Sequence, residues 1–216
     1  LGDWQMLKNK ARVVVIGGGV VGVSTLYHLA KKGWGDVVLV ERRELTSGST
    51  WHAAGLLPLF NMSYSVGQIH KYSVNLYQKL EEETGQTVGL RQVSNIRLAC
   101  TADRMDEYRF YAGVAKTIGV DVRYLTPDDV KQIWPLCNTE GLIGAIQHPD
   151  DGYIQPADLT QALAVGARNM GAAIYRNTTV MGIQATNDGD WRVETDQGEI
   201  VCQHVVSASG NFARKT

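Results

Sequence analysis

Residues 12–41 read RVVVIGGGVVGVSTLYHLAKKGWGDVVLVE, and this stretch decides the fold. Its first five residues are mostly β-branched, which is typical of a short buried strand in a parallel sheet. Three glycines end that strand, apolar residues then recur at helical spacing as far as Lys32, and residues 37–40 form a second buried strand. The pattern predicts a strand–helix–strand unit that closes at Glu41.

Gly17, Gly19 and Gly22 match the pattern GxGxxG between the first strand and the helix, and Glu41 ends the second strand. The glycines permit a tight turn and close approach of a pyrophosphate, the helix N-terminus favours an anion, and the acid accepts from ribose hydroxyls. These features predict a dinucleotide site and do not separate NAD from FAD. A carboxylate disfavours the 2′-phosphate of NADP, because two anions would meet there.

The rest of the chain combines helical and strand patterns. Residues 46–55, TSGSTWHAAG, have no period and are rich in hydroxyls and glycine, so we expect a loop that contacts a ligand. Helices are predicted at residues 66–80, 102–118 and 156–169, with a short one beginning at Pro127 behind the N-cap Thr126. Strands are predicted at residues 96–100, 143–148, 180–185, 191–195, 199–203 and 204–208, the last of them parallel and the preceding three an antiparallel meander.

The composition excludes several classes of protein. The formal net charge is -1, from 21 Lys and Arg against 22 Asp and Glu, so we expect no nucleic-acid partner. The spacing of Cys100, Cys137 and Cys202 fits neither a disulfide framework nor a metal motif, which favours a reducing compartment. The histidines show no paired metal-ligand spacing, so no metal site is expected. The longest apolar run, residues 13–23, is far shorter than the about 20 residues of a membrane span.

The segment ERRELTSGSTWHAAGLL at residues 41–57 resembles the dimethylglycine and sarcosine dehydrogenases, FAD enzymes of the D-amino-acid-oxidase-like superfamily. The dimethylglycine dehydrogenases are the closer branch. The likeness covers nearly the whole chain and continues in KLEEETG at 79–85, IRLA at 96–99, WPL at 134–136, PDDGYIQP at 149–156 and VVSASGNFAR at 205–214. Where the family reads close to NAAGxWA, this chain has SASGNFA at 207–213.

The resemblance implies a flavin site. His52 matches the histidine whose imidazole is joined covalently to the 8α-methyl carbon of the flavin, and a neutral imidazole is a competent nucleophile. No catalytic acid or base can be assigned. With the glycine motif, the implied cofactor-binding residues are Gly17, Gly19, Val20, Val21, Gly22, Glu41, Arg42, Gly48, Ser49, Thr50, Trp51, His52, Ala53, Ala54, Gly55, Leu56, Val180 and Gly210.

The resemblance also implies a reaction, the oxidative demethylation of a small N-methylated amino acid such as dimethylglycine or sarcosine. A hydride passes from the N-methyl carbon to FAD, and the resulting iminium gives formaldehyde or transfers a one-carbon unit to tetrahydrofolate. An electron-transfer protein or oxygen takes the electrons. Such enzymes continue with the rest of the substrate domain, a final flavin-binding strand and a folate-binding region, so we expect this chain to be part of a longer protein. We expect that protein in the bacterial cytoplasm or the mitochondrial matrix.

We therefore expect an α/β fold: a Rossmann-type FAD-binding parallel sheet with an antiparallel β-meander and part of an α+β substrate domain. Residues 1–90 and 151–216 are predicted to form the FAD-binding domain, and residues 91–150 part of the substrate domain. Two alternatives stay open. A noncatalytic regulatory or partner-binding relative is disfavoured by the retention of His52, and an NAD-dependent dehydrogenase leaves residues 46–55 without a role.

One further carboxylate pair, Asp150 and Asp151, precedes Gly152. Carboxylates beside a glycine suggest an acid–base pair, but Asp and Gly are also the residues that turns favour. The sequence favours a turn.

Overall fold

Strand β1 (Lys10–Ile16), helix α1 (Val20–Lys31) and strand β2 (Val37–Val40) form the predicted strand–helix–strand unit. The computed structural model describes residues 6–59 and 63–215 of the chain. The whole of β2 and the last four residues of β1 are buried, because both strands lie inside a sheet. Helix α1 buries the face that carries Val23, Leu26 and Tyr27, which is the face that the sequence predicts.

The remaining elements follow in chain order. The strands are β3 (Leu56–Leu57), β4 (Arg91–Gln92), β5 (Asn95–Ala99), β6 (Arg123–Leu125), β7 (Gly144–His148), β8 (Gly152–Tyr153), β9 (Ala173–Tyr175), β10 (Val180–Ala185), β11 (Trp191–Thr195) and β12 (Gly198–Ser207). The helices are α2 (Tyr64–Thr84), α3 (Ala102–Ile118), α4 (Pro127–Ile133) and α5 (Pro156–Asn169), and short 3₁₀ turns lie at Thr50–His52 and Gly210–Lys215.

Six strands form one mixed sheet in the order β10–β11–β12–β1–β2–β9. The pairs β12–β1, β1–β2 and β2–β9 are parallel, and the pairs β10–β11 and β11–β12 are antiparallel. The predicted α/β class, with a parallel sheet and an antiparallel meander, is confirmed. A shared hydrophobic cluster includes Val14, Val38, Ala173, Val193 and Ile200, one from each of five strands.

The prediction of two separate strands at residues 199–203 and 204–208 is wrong. Residues 198–207 form the single strand β12, which pairs with β11 along one edge and with β1 along the other. Ile200 and Cys202 are buried between these neighbours, and no turn-forming residue interrupts the segment. One continuous strand therefore takes part in both the meander and the parallel sheet.

The chain divides into two compact units. The first contains the chain up to Ala54, Lys79–Val88 and the chain from Gln155, and the second contains Gly55–Gln78 and Gly89–Ile154. The six-stranded sheet and helices α1 and α5, which pack together, belong to the first unit. Residues 55–78, 89–90 and 151–154, which the sequence assigned to the FAD-binding domain, thus cluster with the second unit.

The second unit is built around the antiparallel sheet β5–β7–β6. One hydrophobic cluster joins Ala99 and Ile146 of this sheet to Tyr108, Tyr111 and Ala115 of α3. A second cluster joins the sheet to α4. Helix α4 begins with the predicted N-cap and Pro, and forms a capping box in which Thr126 and Asp129 each accept from the other's backbone N–H.

Candidate functional site

A cavity of about 420 Å³ opens in the first unit, at the end of β1 where the three glycines lie. Its size is within the range of small-molecule and cofactor pockets, about 300–1,000 Å³. The lining residues are 16–21, 41–42, 47–50, 53, 178–180 and 208–212. The carboxyl ends of β1, β2 and β12 therefore meet the loop of residues 46–55 around one space, which is the position where ligands bind in open α/β sheets.

Gly17, Gly18 and Gly19 form the turn between β1 and α1, which we call the glycine turn. Close backbone contacts shape this turn. Gly17 has a φ of +111°, and a Cβ there would lie 2.5 Å from the carbonyl oxygen of Ala208. A Cβ at Gly22 would lie 2.0 Å from the carbonyl oxygen of Gly17. No side chain fits at either place, so Gly22 closes the turn against the helix without itself lining the cavity.

Helix α1 begins at this turn with its N-terminus beside the cavity. Gly19 is the N-cap residue and has no side chain with which to cap the helix. The N–H of Val20 donates to Thr50 Oγ1 at 3.0 Å. The start of α1 therefore offers partial positive charge to an anion in the cavity, as the sequence predicts.

Glu41 lies at the cavity wall with both carboxylate oxygens engaged. Oε2 accepts from the N–H of Gly18 at 2.6 Å, and Oε1 accepts from the N–H of Arg43 at 2.9 Å. An ionised carboxylate has about four acceptor sites, so these two bonds leave capacity for two ribose hydroxyls. The predicted role of Glu41 is thus compatible with a second role, which is to hold the glycine turn.

Arg42 and Phe212 form another part of the wall. The guanidinium carbon of Arg42 lies 3.8 Å from the centre of the Phe212 ring, which is a cation–π contact. Phe212 supplies the aromatic face for this contact. The pair links the end of β2 to the 3₁₀ turn that follows β12.

The loop of residues 46–55 is fixed to the glycine turn at two points. The N–H of Thr46 donates to the carbonyl of Gly18 at 2.9 Å, and Thr50 accepts from Val20. Gly48 lines the cavity, and a Cβ at this position would have no atom within 4 Å. Gly210 lines another part of the wall and has the same free space. A ligand could approach the backbone closely at both glycines.

His52 lies on the 3₁₀ turn Thr50–His52 and is exposed. Its Nδ1 is 3.2 Å from the carbonyl oxygen of Gly48, and its ring centre is 3.9 Å from that of Trp51. Neither ring lines the cavity, although residues 47–50 and Ala53 on both sides do. The histidine is thus presented at the margin of the cavity.

The predicted set divides in two. The residues that line the cavity are Gly17, Gly19, Val20, Val21, Glu41, Arg42, Gly48, Ser49, Thr50, Ala53, Val180 and Gly210. The residues that do not are Gly22, Trp51, His52, Ala54, Gly55 and Leu56. Gly55 and Leu56 belong to the second unit.

Sequence reasoning missed several lining residues, namely Ile16, Gly18, Ser47, Thr178, Thr179, Ala208, Ser209, Asn211 and Phe212. Each lies within two positions of a residue that was predicted. A search for polar residues that flank the predicted strand ends would have found Thr178, Thr179, Ser209 and Asn211.

The carboxylate pair lies in the second unit. The predicted turn at residues 150–152 is only partly right, because the turn lies at residues 149–150 and Gly152 begins strand β8. Asp151 is buried, and its Oδ1 accepts from the N–H of Leu59 at 2.8 Å. Burial raises the pKa of Asp151, although the bond from Leu59 opposes the shift. Oδ2 has no hydrogen-bond partner among the described residues. The contact with Leu59 gives Asp151 a structural role.

Residues 6–59 and 63–215 hold neither a candidate metal site nor a candidate membrane-spanning helix. No group of His, Cys, Asp and Glu there is arranged to hold a metal ion. No helix in this part of the chain combines the length and hydrophobicity needed to cross a lipid bilayer.

Comparison with known proteins identifies the family. A family model described as FAD dependent oxidoreductase matches residues 12–216. The chain belongs to this family. The match supports FAD over NAD as the cofactor, a choice that the glycine pattern left open.

Curated proteins similar to the chain include enzymes that act on methylated amines. The chain is 45% identical over 208 residues to human (Homo sapiens) mitochondrial dimethylglycine dehydrogenase, covering 96% of the chain and 24% of that protein. It is 38% identical over 208 residues to the formaldehyde-forming 4-methylaminobutanoate oxidase of Paenarthrobacter nicotinovorans, covering 96% of the chain and 25% of that protein. The chain spans about a quarter of the length of these relatives.

A solved structure supports the fold. L-proline dehydrogenase from P. horikoshii superposes with a TM-score of 0.88 at 31% sequence identity, covering 96% of this chain and 55% of that chain. The resemblance read from the sequence is therefore confirmed at the level of family and fold.

Proposed function

We propose that the cavity of the first unit binds FAD. The donors and acceptors suit it: the carboxylate of Glu41 for the ribose of the adenosine, and the N-terminus of α1 with residues 47–50 for the pyrophosphate. Val180 and Gly210 line the cavity wall from β10 and from the turn after β12. The main support for the proposal is that Glu41, the start of α1 and residues 47–50 line one cavity in a chain that belongs to an FAD-dependent family.

We propose that His52 joins the flavin covalently through Nε2. Its Nδ1–H donates to the carbonyl of Gly48, which leaves the lone pair on Nε2. The new N–C bond replaces one C–H bond of the 8α-methyl group, and Nδ1 loses its proton once Nε2 is alkylated. Two protons and two electrons are released, and dioxygen takes them to form hydrogen peroxide.

We propose that the activity is the oxidation of an N-methyl group on a small amino acid. When bound, FAD supplies the hydride acceptor, and the substrate is left as an iminium that water converts to an amine and formaldehyde. The similarity to dimethylglycine dehydrogenase and to a formaldehyde-forming oxidase supports this substrate class. The task of this chain is to fix the cofactor between the glycine turn and residues 46–55.

The remaining partners are proposed on the resemblance alone. Tetrahydrofolate is the proposed alternative acceptor of the one-carbon unit, and an electron-transfer protein or oxygen receives the electrons. The mitochondrial matrix or the bacterial cytoplasm is the proposed location.

Anaerobic mixing of the FAD-loaded protein with dimethylglycine, sarcosine and glycine betaine tests the activity. The first two should bleach the visible flavin absorbance and release formaldehyde. Glycine betaine is the control, because its quaternary nitrogen has no lone pair with which to form the iminium. If none of the three bleaches the bound flavin, the proposed substrate class is wrong. A protein that binds no flavin would favour the noncatalytic regulatory relative.

A further inference from the structure

The turn that carries His52 is held by one buried residue. Thr50 is 9% exposed, whereas Trp51 is 60% exposed and His52 is also exposed. Two backbone hydrogen bonds, from His52 N–H to Ser49 and from Ala53 N–H to Thr50, close the turn itself. Thr50 is therefore the residue of this turn that faces inward.

The inward hydroxyl of Thr50 meets the start of helix α1. Oγ1 accepts from the N–H of Val20 at 3.0 Å, and it would lie 3.1 Å from a Cβ at Gly19. A side chain at Gly19 would therefore crowd this hydroxyl. The bond joins the turn to the first residue of the helix whose N-terminus faces the cavity.

We propose that Thr50 is a positioning residue for flavin attachment, acting on His52 through the hydrogen bond to Val20. The inference rests on the proposed covalent link at His52. The bond fixes the turn of residues 50–52 relative to the helix start that holds the pyrophosphate, so that Nε2 reaches the 8α-methyl carbon. Reactions between held groups are sensitive to misplacement, and a shift of about 1 Å costs on the order of a hundredfold in rate.

The test compares variants that remove this bond from either side. Thr50→Val keeps the shape of the side chain and removes the acceptor. Val20→Pro removes the N–H at the first helical position, where Pro is tolerated. Thr50→Ser keeps the hydroxyl. Thr25→Val is the matched control on the same helix, because the Thr25 hydroxyl donates to the carbonyl of Val21 and does not line the cavity.

Two quantities are measured on the intact flavin-free protein after addition of FAD. They are the affinity for noncovalent FAD, and the rate at which flavin becomes resistant to acid precipitation and is found by mass on the His52 peptide. At saturating FAD, Thr50→Val and Val20→Pro should each slow attachment roughly 10- to 100-fold. Thr50→Ser and Thr25→Val should attach flavin at the wild-type rate. A protein that carries both Thr50→Val and Val20→Pro should attach flavin no more slowly than either single variant, because both substitutions remove the same hydrogen bond.

Wild-type attachment rates in both Thr50→Val and Val20→Pro would overturn the inference. Equal slowing in Thr50→Ser and Thr50→Val would also overturn it, since the hydroxyl would then be irrelevant. A structural role alone would lower thermal stability and noncovalent affinity without lowering the fraction of bound flavin that becomes covalent. If the wild-type protein binds FAD and never attaches it, the proposal of a covalent link at His52 is wrong. The proposed role of Thr50 is then wrong as well.

Discussion

The carboxylate of Glu41 accepts a hydrogen bond from the backbone N–H of Gly18 at 2.6 Å. The acid that the sequence marks as a ribose ligand thus also shapes the glycine turn. The second oxygen accepts from the N–H of Arg43, so the carboxylate joins the turn after β1 to the end of β2. The glycine turn is therefore held in place by the chain's own residues.

We expect Glu41→Gln to weaken both the fold and the affinity for FAD. The amide of Gln offers one acceptor oxygen and no charge, so the carboxylate's bonds to the part-buried N–H of Gly18 and the exposed N–H of Arg43 cannot both be kept, at a cost of about 1 kcal/mol. Thermal unfolding of the flavin-free protein measures the first effect, and FAD titration the second. Glu44→Gln is the control, because Glu44 is exposed and pairs with Arg176 at the surface, where an ion pair contributes about 0–1 kcal/mol. Equal stability of the Glu41 and Glu44 variants would refute the role of Glu41.

Two Gly→Ala substitutions in helices should change stability in opposite directions. A Cβ at Gly166 in α5 would lie 2.8 Å from the ring of Tyr27, which is 1% exposed and donates its hydroxyl proton to Glu83. The Tyr27 ring cannot move freely, so Gly166→Ala should lower the free energy of unfolding by about 1–3 kcal/mol. Gly113 in α3 is exposed and has open space, so Gly113→Ala should stabilise by about 0.5–1 kcal/mol. Denaturant unfolding measures both, and a stabilising Gly166→Ala would contradict the packing between α1 and α5.

Stability should fall in acid because of His148. Burial lowers the pKa of His148 from 6.5 to about 4, with a smaller contribution from Arg97. Between these values the unfolded chain binds a proton that the folded chain does not, so the free energy of unfolding rises with pH across this window. The free energy of unfolding should therefore fall by at most about 3 kcal/mol as the pH is lowered from 6.5 to 4.

The measurement for His148 is denaturant unfolding at several pH values, for the wild type and for His148→Gln. The variant cannot take up the proton, so the difference in stability between the two proteins should change across the window. Burial raises the pKa of Asp151, which works in the opposite direction, but that group is present in both proteins. A difference that is constant from pH 6.5 to 4 would show that His148 does not titrate as described.

The sequence predicted the elements that long patterns define and missed those that only pairing defines. β1, α1 and β2 were found because buried strands and an amphipathic helix leave a clear signal. β9 was not predicted, because three residues are too few to show the alternation of a strand. Its position is set by its pairing with β2. β3, β4 and β8 have two residues each and form through backbone bonds to one another.

The site was predicted in the same uneven way. The glycines and Glu41 carry a pattern that can be read along the chain, and the family resemblance added residues 48–56. Thr178, Thr179, Ser209 and Asn211 reach the cavity because β10 begins and β12 ends at its rim. These residues could be listed from the sequence as flanking predicted strand ends, but the meeting of those ends at one rim follows from the strand order, which local sequence does not encode.

The cavity beside the glycine turn is the proposed site of FAD. Equilibrium titration of the flavin-free His52→Ala protein with FAD tests it most directly, because this variant cannot attach flavin and binding stays reversible. We predict saturable binding of FAD, competition by ADP, and weaker binding of both when Glu41→Gln is added. FAD that fails to bind saturably, or that binds without competition from ADP, would contradict the assignment of this cavity.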